Sequence, residues 1–220
     1  MPTCLAFDAG SPVTSAAVAR DGAVLAWSSG EGRSGPSLLH HIDASLRRAE
    51  VVLADLDGIL VLSGPGSFTG IRVALATAQG FRATLAVPVA AISNLAALAL
   101  PALGPLGSPA FRTHRVLALV DALRDEWFAQ EFRLERGAIV ALGDPQRVSS
   151  AALAPAPGAA LAAHDGQPLP PHLAAIPVQR SGPLACAAAL AASAETLGGL
   201  ARADLRPLYL RAFIPRNPPG

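Results

Sequence analysis

The run Ser63-Gly64-Pro65-Gly66-Ser67-Phe68-Thr69-Gly70-Ile71-Arg72 carries the most specific pattern in the chain. An apolar stretch, Ile59 to Leu62, delivers it and a helical pattern leaves it, so its backbone amides could face an anion at a helix N-terminus. Its spacing excludes two common phosphate devices. The Gly-Lys-Ser/Thr ending of a P-loop is missing, and the glycines do not fall at dinucleotide-fingerprint intervals. A tight turn, with Thr69 or Ser67 capping the helix that follows, is therefore favoured over an anion site. A second segment, Asp8-Ala9-Gly10-Ser11, places an acid, a glycine and a hydroxyl at the end of an apolar strand.

The other reactive residue types are scattered. His40 and His41 are adjacent on a helical pattern, so their side chains diverge by about 100° and do not share an ion readily. His114, His164 and His172 fall in apparent loops without partner spacing and read as surface histidines. Cys4 and Cys186 are far apart and form no metal-ligand pair, so both read as dispensable thiols. No nucleophile-elbow motif accompanies the serines. The residues give no metal site and argue against catalysis by this chain alone.

The elements that must position these segments can be read from patterning. Strands are expected at 5–8, 13–20 and 23–28, with Asp21-Gly22 as a type I′ hairpin turn. Apolar residues at helical spacing make 37–50 an amphipathic helix. A buried strand at 59–62, a helix from Ile71 to about Leu85, a short strand at 86–90 and a helix capped by Ser93 follow. The Gly/Pro/Ser stretch 103–109 reads as a domain boundary. Beyond it, a strand ending at Asp121, a strand at 126–134, the turn Arg136-Gly137 and a strand at 138–142 repeat the opening order about 113 positions later. That echo favours a duplicated domain with two mixed sheets flanked by helices. Residues 151–171 read mostly as loop, 183–197 as an alanine-rich helix and 206–213 as a short extended piece.

Composition narrows the function classes. The chain has 220 residues, 51% hydrophobic and 15% charged, which suits one medium domain or two small ones and excludes global disorder. All 17 basic residues are arginine and the net charge is +1, so no strong basic field marks a free-standing nucleic-acid binder. The arginines that gather near the end (Arg202, Arg206, Arg211 and Arg216, against Asp204) read as a solvated tail. No secretory leader is evident, and prolines and polar residues break the uncharged stretch 83–110 into pieces too short to span a bilayer. A cytoplasmic protein is expected.

The nonapeptide Gly64-Pro65-Gly66-Ser67-Phe68-Thr69-Gly70-Ile71-Arg72 resembles the signature of the TsaB (YeaZ-like) family. Asp8 after the first strand, Ala78-Gln79-Gly80, Asp121-Ala122 with Arg124 and Glu126, and Pro207-Leu208-Tyr209-Leu210-Arg211 resemble further family landmarks, in the family's order. The chain departs where Ala9-Gly10-Ser11 follows Asp8 in place of the usual Thr-Ser, at Ser34-Gly35, and at His40, where the family has proline. The resemblance implies an actin/Hsp70-like ATPase fold of two RNase H-like domains, with a reduced second domain. The domains would lie at 1–103 and 110–200, followed by a partly flexible extension at 201–220.

It also implies a non-catalytic dimerisation subunit. Such a subunit supports the catalytic partner TsaD, with the ATPase TsaE, in placing N6-threonylcarbamoyl on adenosine 37 of tRNAs decoding ANN codons, and forms a homodimer in the absence of TsaD. The alternative is an ATPase, kinase or glycopeptidase of the actin-like class acting alone. Asp8, Gly10 and Ser11 resemble the first phosphate loop of such ATPases, but Asp121-Ala122-Leu123-Arg124 offers no glycine for a matching second loop. No cofactor is expected, and nucleotide only at a surface shared with a partner.

In the helix after the signature, Gly70, Ala74 and Ala78 recur every four residues, as do Ala76 and Gly80. Small side chains at that spacing let another helix approach closely. With Leu38, Ile42 and Leu46 of the first helix as larger knobs, these residues are expected to form a helical partner interface. Arginine at Ala74 or Ala78 is then expected to leave the monomer folded and to abolish pairing.

Overall fold

The structure, a computed structural model, describes residues 2–31, 35–103, 114–181 and 201–210. Its first half opens with β1 (Thr3–Asp8), β2 (Val13–Arg20) and β3 (Ala23–Glu31), then α1 (Gly35–Arg48), β4 (Gly58–Leu62), α2 (Phe68–Thr84), β5 (Val89–Ile92) and α3 (Asn94–Leu103). The second half supplies β6 (Arg115–Leu123), β7 (Glu126–Glu135), β8 (Ala138–Ser149), β9 (Ala160–His164) and β10 (Val178–Ser181).

The two sheets have the same plan. Sheet order is β3-β2-β1-β4-β5 in one and β8-β7-β6-β9-β10 in the other. In each, three antiparallel strands meander and two parallel strands extend the first strand's other side. These are two RNase H-like sheets, as the actin/Hsp70-like fold requires, and β1 and β6 are the strands that end in Asp8 and hold Asp121.

The local chemistry explains the elements. Asp21 and Gly22 both have positive φ, as the type I′ turn between β2 and β3 demands. The Ser67 side chain accepts from the Gly70 amide at 3.4 Å, and α2 therefore starts at Phe68, three residues before the apolar period begins. Ser93 caps α3 through the Ala96 amide at 2.9 Å. α3 is apolar on every side, and all its residues except Pro101 are buried, because it lies between the two sheets.

That central layer joins Ala6, Ala17, Leu60 and Leu62 of the first sheet to Val116, Ala118, Phe128 and Phe132 of the second. On the opposite face of the first sheet, α1 and α2 touch and pack over Leu5, Phe7, Ile59 and Val61. The outer face of the second sheet is covered instead by Leu153, Leu169, Leu173 and Ile176 from irregular segments.

Several expectations are corrected. β8 runs to Ser149 rather than to about 142. The stretch expected to be mostly loop contains β9, which is buried along its whole length and so shows no alternation, and β10 is a further short strand that patterning does not signal. The described part of the C-terminal extension returns to the first half, where Arg202 and Ala91 exchange two backbone hydrogen bonds of 2.7 Å. Expectations for Ser34, the 103–109 boundary beyond Leu103, Cys186, the 183–197 helix, Arg211 and Arg216 lie outside the described residues.

The interface assignment needs the largest correction. Leu38, Ile42 and Leu46 are the core face of α1, and Ala74 and Ala78 are fully buried under α2. Gly70 faces the loop after β1, where a Cβ would overlap the Ala9 carbonyl oxygen. A helix on a sheet must bury one face, and the Gly70/Ala74/Ala78 stripe is that face. Ala76 and Gly80 point outward and are exposed.

Candidate functional site

Two loops of the first half, both at the C-terminal ends of parallel strands, come together as one unit. Asp8 ends β1 and is buried. Its Oδ1 accepts the Gly10 amide at 2.7 Å and its Oδ2 the Ser11 amide at 3.2 Å. From the start of α3, the Asn94 side-chain amide donates to Asp8 at 3.3 Å and to the Ser11 hydroxyl at 2.9 Å. Asn94 Oδ1 in turn accepts the Gly64 amide at 2.7 Å. The Ser67 amide donates to the Gly10 carbonyl at 2.8 Å. A Cβ on Gly66 would overlap the same Gly10 carbonyl, so this glycine is required by the approach of the two loops.

This bears on the resemblance of Asp8, Gly10 and Ser11 to a vestigial phosphate loop. A phosphate cradle needs amides that point at empty space carrying no negative charge. Here the Gly10 and Ser11 amides already serve the carboxylate of Asp8. Burial pushes the Asp8 carboxyl up, and the hydrogen bonds from Ser11 and the Gly10 amide pull it the other way. The counterpart turn in the second half repeats only the local bond, with Asp121 accepting the Leu123 amide at 2.7 Å. Leu123, Arg124 and Asp125 there all have positive φ without a glycine among them.

Across from Asp8 lies His164, at the end of β9. The loop reading of this residue as a surface histidine is corrected, because it is buried, and its Nε2 has no hydrogen-bond partner among the described residues. Burial holds its imidazole below the usual value, opposed by the charge of Asp8. His172 donates from Nε2 to the Leu153 carbonyl, 3.1 Å away. Among the described residues no three His, Cys, Asp or Glu side chains gather closely enough to hold a metal ion. Cys4 is half-buried, and burial followed by the charge of Asp57 pushes its thiol up.

His41 and His40 diverge as their spacing requires. His40 is exposed, whereas His41 is buried, with Nδ1 3.0 Å from the Ser28 hydroxyl. Burial, His40 and Arg48 all lower the His41 value. The unfolded chain therefore takes up a proton near pH 6.5 that the folded chain resists, so this stability is present above that pH and lost below it. Denaturant unfolding between pH 7.5 and 5.5 should show a fall in stability that His41→Gln makes shallower. An unchanged slope would mean that His41 does not titrate between the two states.

The third meeting point joins two sequence motifs 137 residues apart. Tyr209 stacks on Phe68 with ring centroids 5.0 Å apart, and Arg72 Nε donates to the Tyr209 hydroxyl at 3.2 Å. The Arg72 guanidinium lies 4.2 Å above the Phe68 ring. From Phe68, a stripe at helical spacing runs along the exposed side of α2 through Thr69, Arg72, Ala76, Gly80 and Ala83. Patterning alone did not reveal Asn94 or His164. Asn94 was legible only as a polar break after β5, and His164 had no sequence signal at all.

The family model described as "TsaD: tRNA N6-adenosine threonylcarbamoyltransferase" matches residues 36–195. The chain is 37% identical over 100 residues to the tRNA threonylcarbamoyladenosine biosynthesis protein TsaB of Haemophilus influenzae, a match over 44% of this chain and 39% of that protein. It is 32% identical over 87 residues to the Escherichia coli K12 protein of the same name, over 40% and 36% of the two chains. These matches span less than half the length of either relative. The solved structure of YeaZ from Pseudomonas aeruginosa superposes with a TM-score of 0.72 at 27% identity, over 96% of this chain and 100% of that one. No helix among the described residues is long and apolar enough to cross a membrane.

Proposed function

The chain belongs to the TsaB/YeaZ branch of the tRNA N6-adenosine threonylcarbamoyltransferase family, and on that premise we propose that it serves threonylcarbamoyladenosine biosynthesis as a non-catalytic assembly subunit. In this reading it works in the cytoplasm and pairs with a TsaD-type transferase, which carries the chemistry. TsaE and tRNA join through the complex, whose product is N6-threonylcarbamoyl on adenosine 37. Without TsaD, the chain pairs with a second copy of itself.

The observation that carries the non-catalytic role is the internal use of the Gly10 and Ser11 amides by Asp8 and of the Gly64 amide by Asn94. The Asp8–Ser11 segment, which resembles a phosphate loop, serves as a packing joint in this reading, and its amides are satisfied without an anion. The exposed stripe Ala76, Gly80 and Ala83 supports α2 as the docking element, since small side chains let a partner helix approach the backbone.

Purification of the chain together with the TsaD-type transferase of the same organism, followed by tRNA modification in a reconstituted mixture, tests the reading. Ala76→Arg should stay folded and lose pairing by at least about tenfold, because an arginine there holds a partner helix away. Ala78→Arg should fail to fold, since it drives a guanidinium into the sheet face. Modification activity by the isolated chain, or wild-type pairing by Ala76→Arg, would overturn the reading.

A further inference from the structure

Residues 201–210 cross the first half as a strap. Arg202 pairs with Ala91 beside β5, Leu205 is buried among the residues under α1 and α2, and the Leu208 amide donates to the Ser63 carbonyl at 2.8 Å. The Leu208 carbonyl oxygen sits 3.0 Å from where a Gly64 Cβ would be, so the strap rests directly on the signature loop. Its path brings Tyr209 against Phe68 and Arg72 in the first turns of α2. Phe68 and Tyr209 are each about 40% exposed, so the cluster is anchored at its base and open at its top.

We propose that Tyr209 is a positioning residue that fixes Phe68 and Arg72 at the head of the exposed α2 face. The surface offered to a partner is then complete only when the 201–210 strap is seated. This rests on the assembly reading above and adds to it a second element, remote in sequence, on which pairing depends. The physical basis is the cost of ordering. Tyr209 holds Phe68 and Arg72 in one mutual arrangement at the start of a helix, and fixing that arrangement before a partner arrives removes an entropic cost of binding. Ring stacking sets Phe68, and the hydroxyl sets the direction of the Arg72 fork, which then lies over the ring.

The test uses the full chain with Tyr209→Ala and Tyr209→Phe, and reads two quantities. Amide exchange at 64–72 should speed up in Tyr209→Ala while the second sheet stays at its wild-type rate. Affinity for the TsaD-type transferase should fall about tenfold in Tyr209→Ala, with Tyr209→Phe intermediate because it keeps the stack and loses the hydroxyl. Unchanged exchange at 64–72 overturns the strap. If exchange rises, affinity stays at wild type and Ala76→Arg still weakens pairing by about tenfold or more, the positioning role alone fails and the assembly reading stands. If Ala76→Arg and Tyr209→Ala both pair normally, the assembly reading fails and the positioning role fails with it.

Discussion

Gly70→Ala is expected to destabilise the protein by on the order of 4 kcal/mol, although the same change inside a helix normally stabilises by about 1 kcal/mol. Helix propensity and tertiary contact oppose each other here, and contact wins by its geometry. A Cβ at Gly70 overlaps the Ala9 carbonyl oxygen, with the carbonyl carbon and Gly10 Cα close behind. Every atom in the way is backbone, so no side chain can swing aside. Relief requires parting α2 from the loop after β1, which also breaks the bond from the Ser67 amide to the Gly10 carbonyl. Gly80→Ala, ten residues further along the same helix with no described residue within 4 Å of the new methyl, should instead gain about 0.5–1 kcal/mol. Urea unfolding of the two variants checks both signs. A Gly70→Ala protein as stable as the parent would show that the close approach does not exist.

Asp8→Ala should be nearly as damaging, at roughly 4 kcal/mol. The carboxylate accepts from the Gly10 amide, the Ser11 amide and the Asn94 side chain, and all three donors lie in buried surroundings. A buried donor left without a partner costs about 1–3 kcal/mol, and the three losses share one site, so they do not add fully. For a chain of this size, with roughly 2–4 °C of Tm per kcal/mol, the melting temperature should fall by about 10 °C. A wild-type melt for Asp8→Ala would mean that the carboxylate does not hold the loop. That result would reopen the loop as an anion site and weaken the non-catalytic reading.

Local rules carried much of the first half. Val13–Arg20 was legible to the residue because its strand ends at an Asp-Gly pair whose turn type is nearly obligatory. The duplication was legible because strand, acid, strand and turn recur in the same order, and the two sheet orders match position for position. Tyr209 was visible as part of a motif, but nothing in a linear pattern says that it meets Phe68. His164 and β9 were hidden for the same reason. A short strand buried on both faces alternates in nothing, and the histidine at its end takes its meaning from Asp8 in the other half.

By itself the sequence determined the order and type of the elements in the first half, the repeat and the signature, though the strand expected at 86–90 lies at Val89–Ile92, because order and type follow from turn chemistry, periodicity and residue identity over short spans. Only the tertiary structure decided which face of α2 is free. The sequence offers two small-residue stripes of equal spacing, and periodicity cannot rank them. The sheet takes Gly70, Ala74 and Ala78 because only that stripe brings the helix backbone against Ala9 and Gly10, and Ala76 and Gly80 remain outside. The conformation of the Asp8–Ser11 turn was decided in the same way. Glycine and serine after an acid are compatible with an anion site or a closed turn, and Asn94, 86 residues away, is the group that closes it.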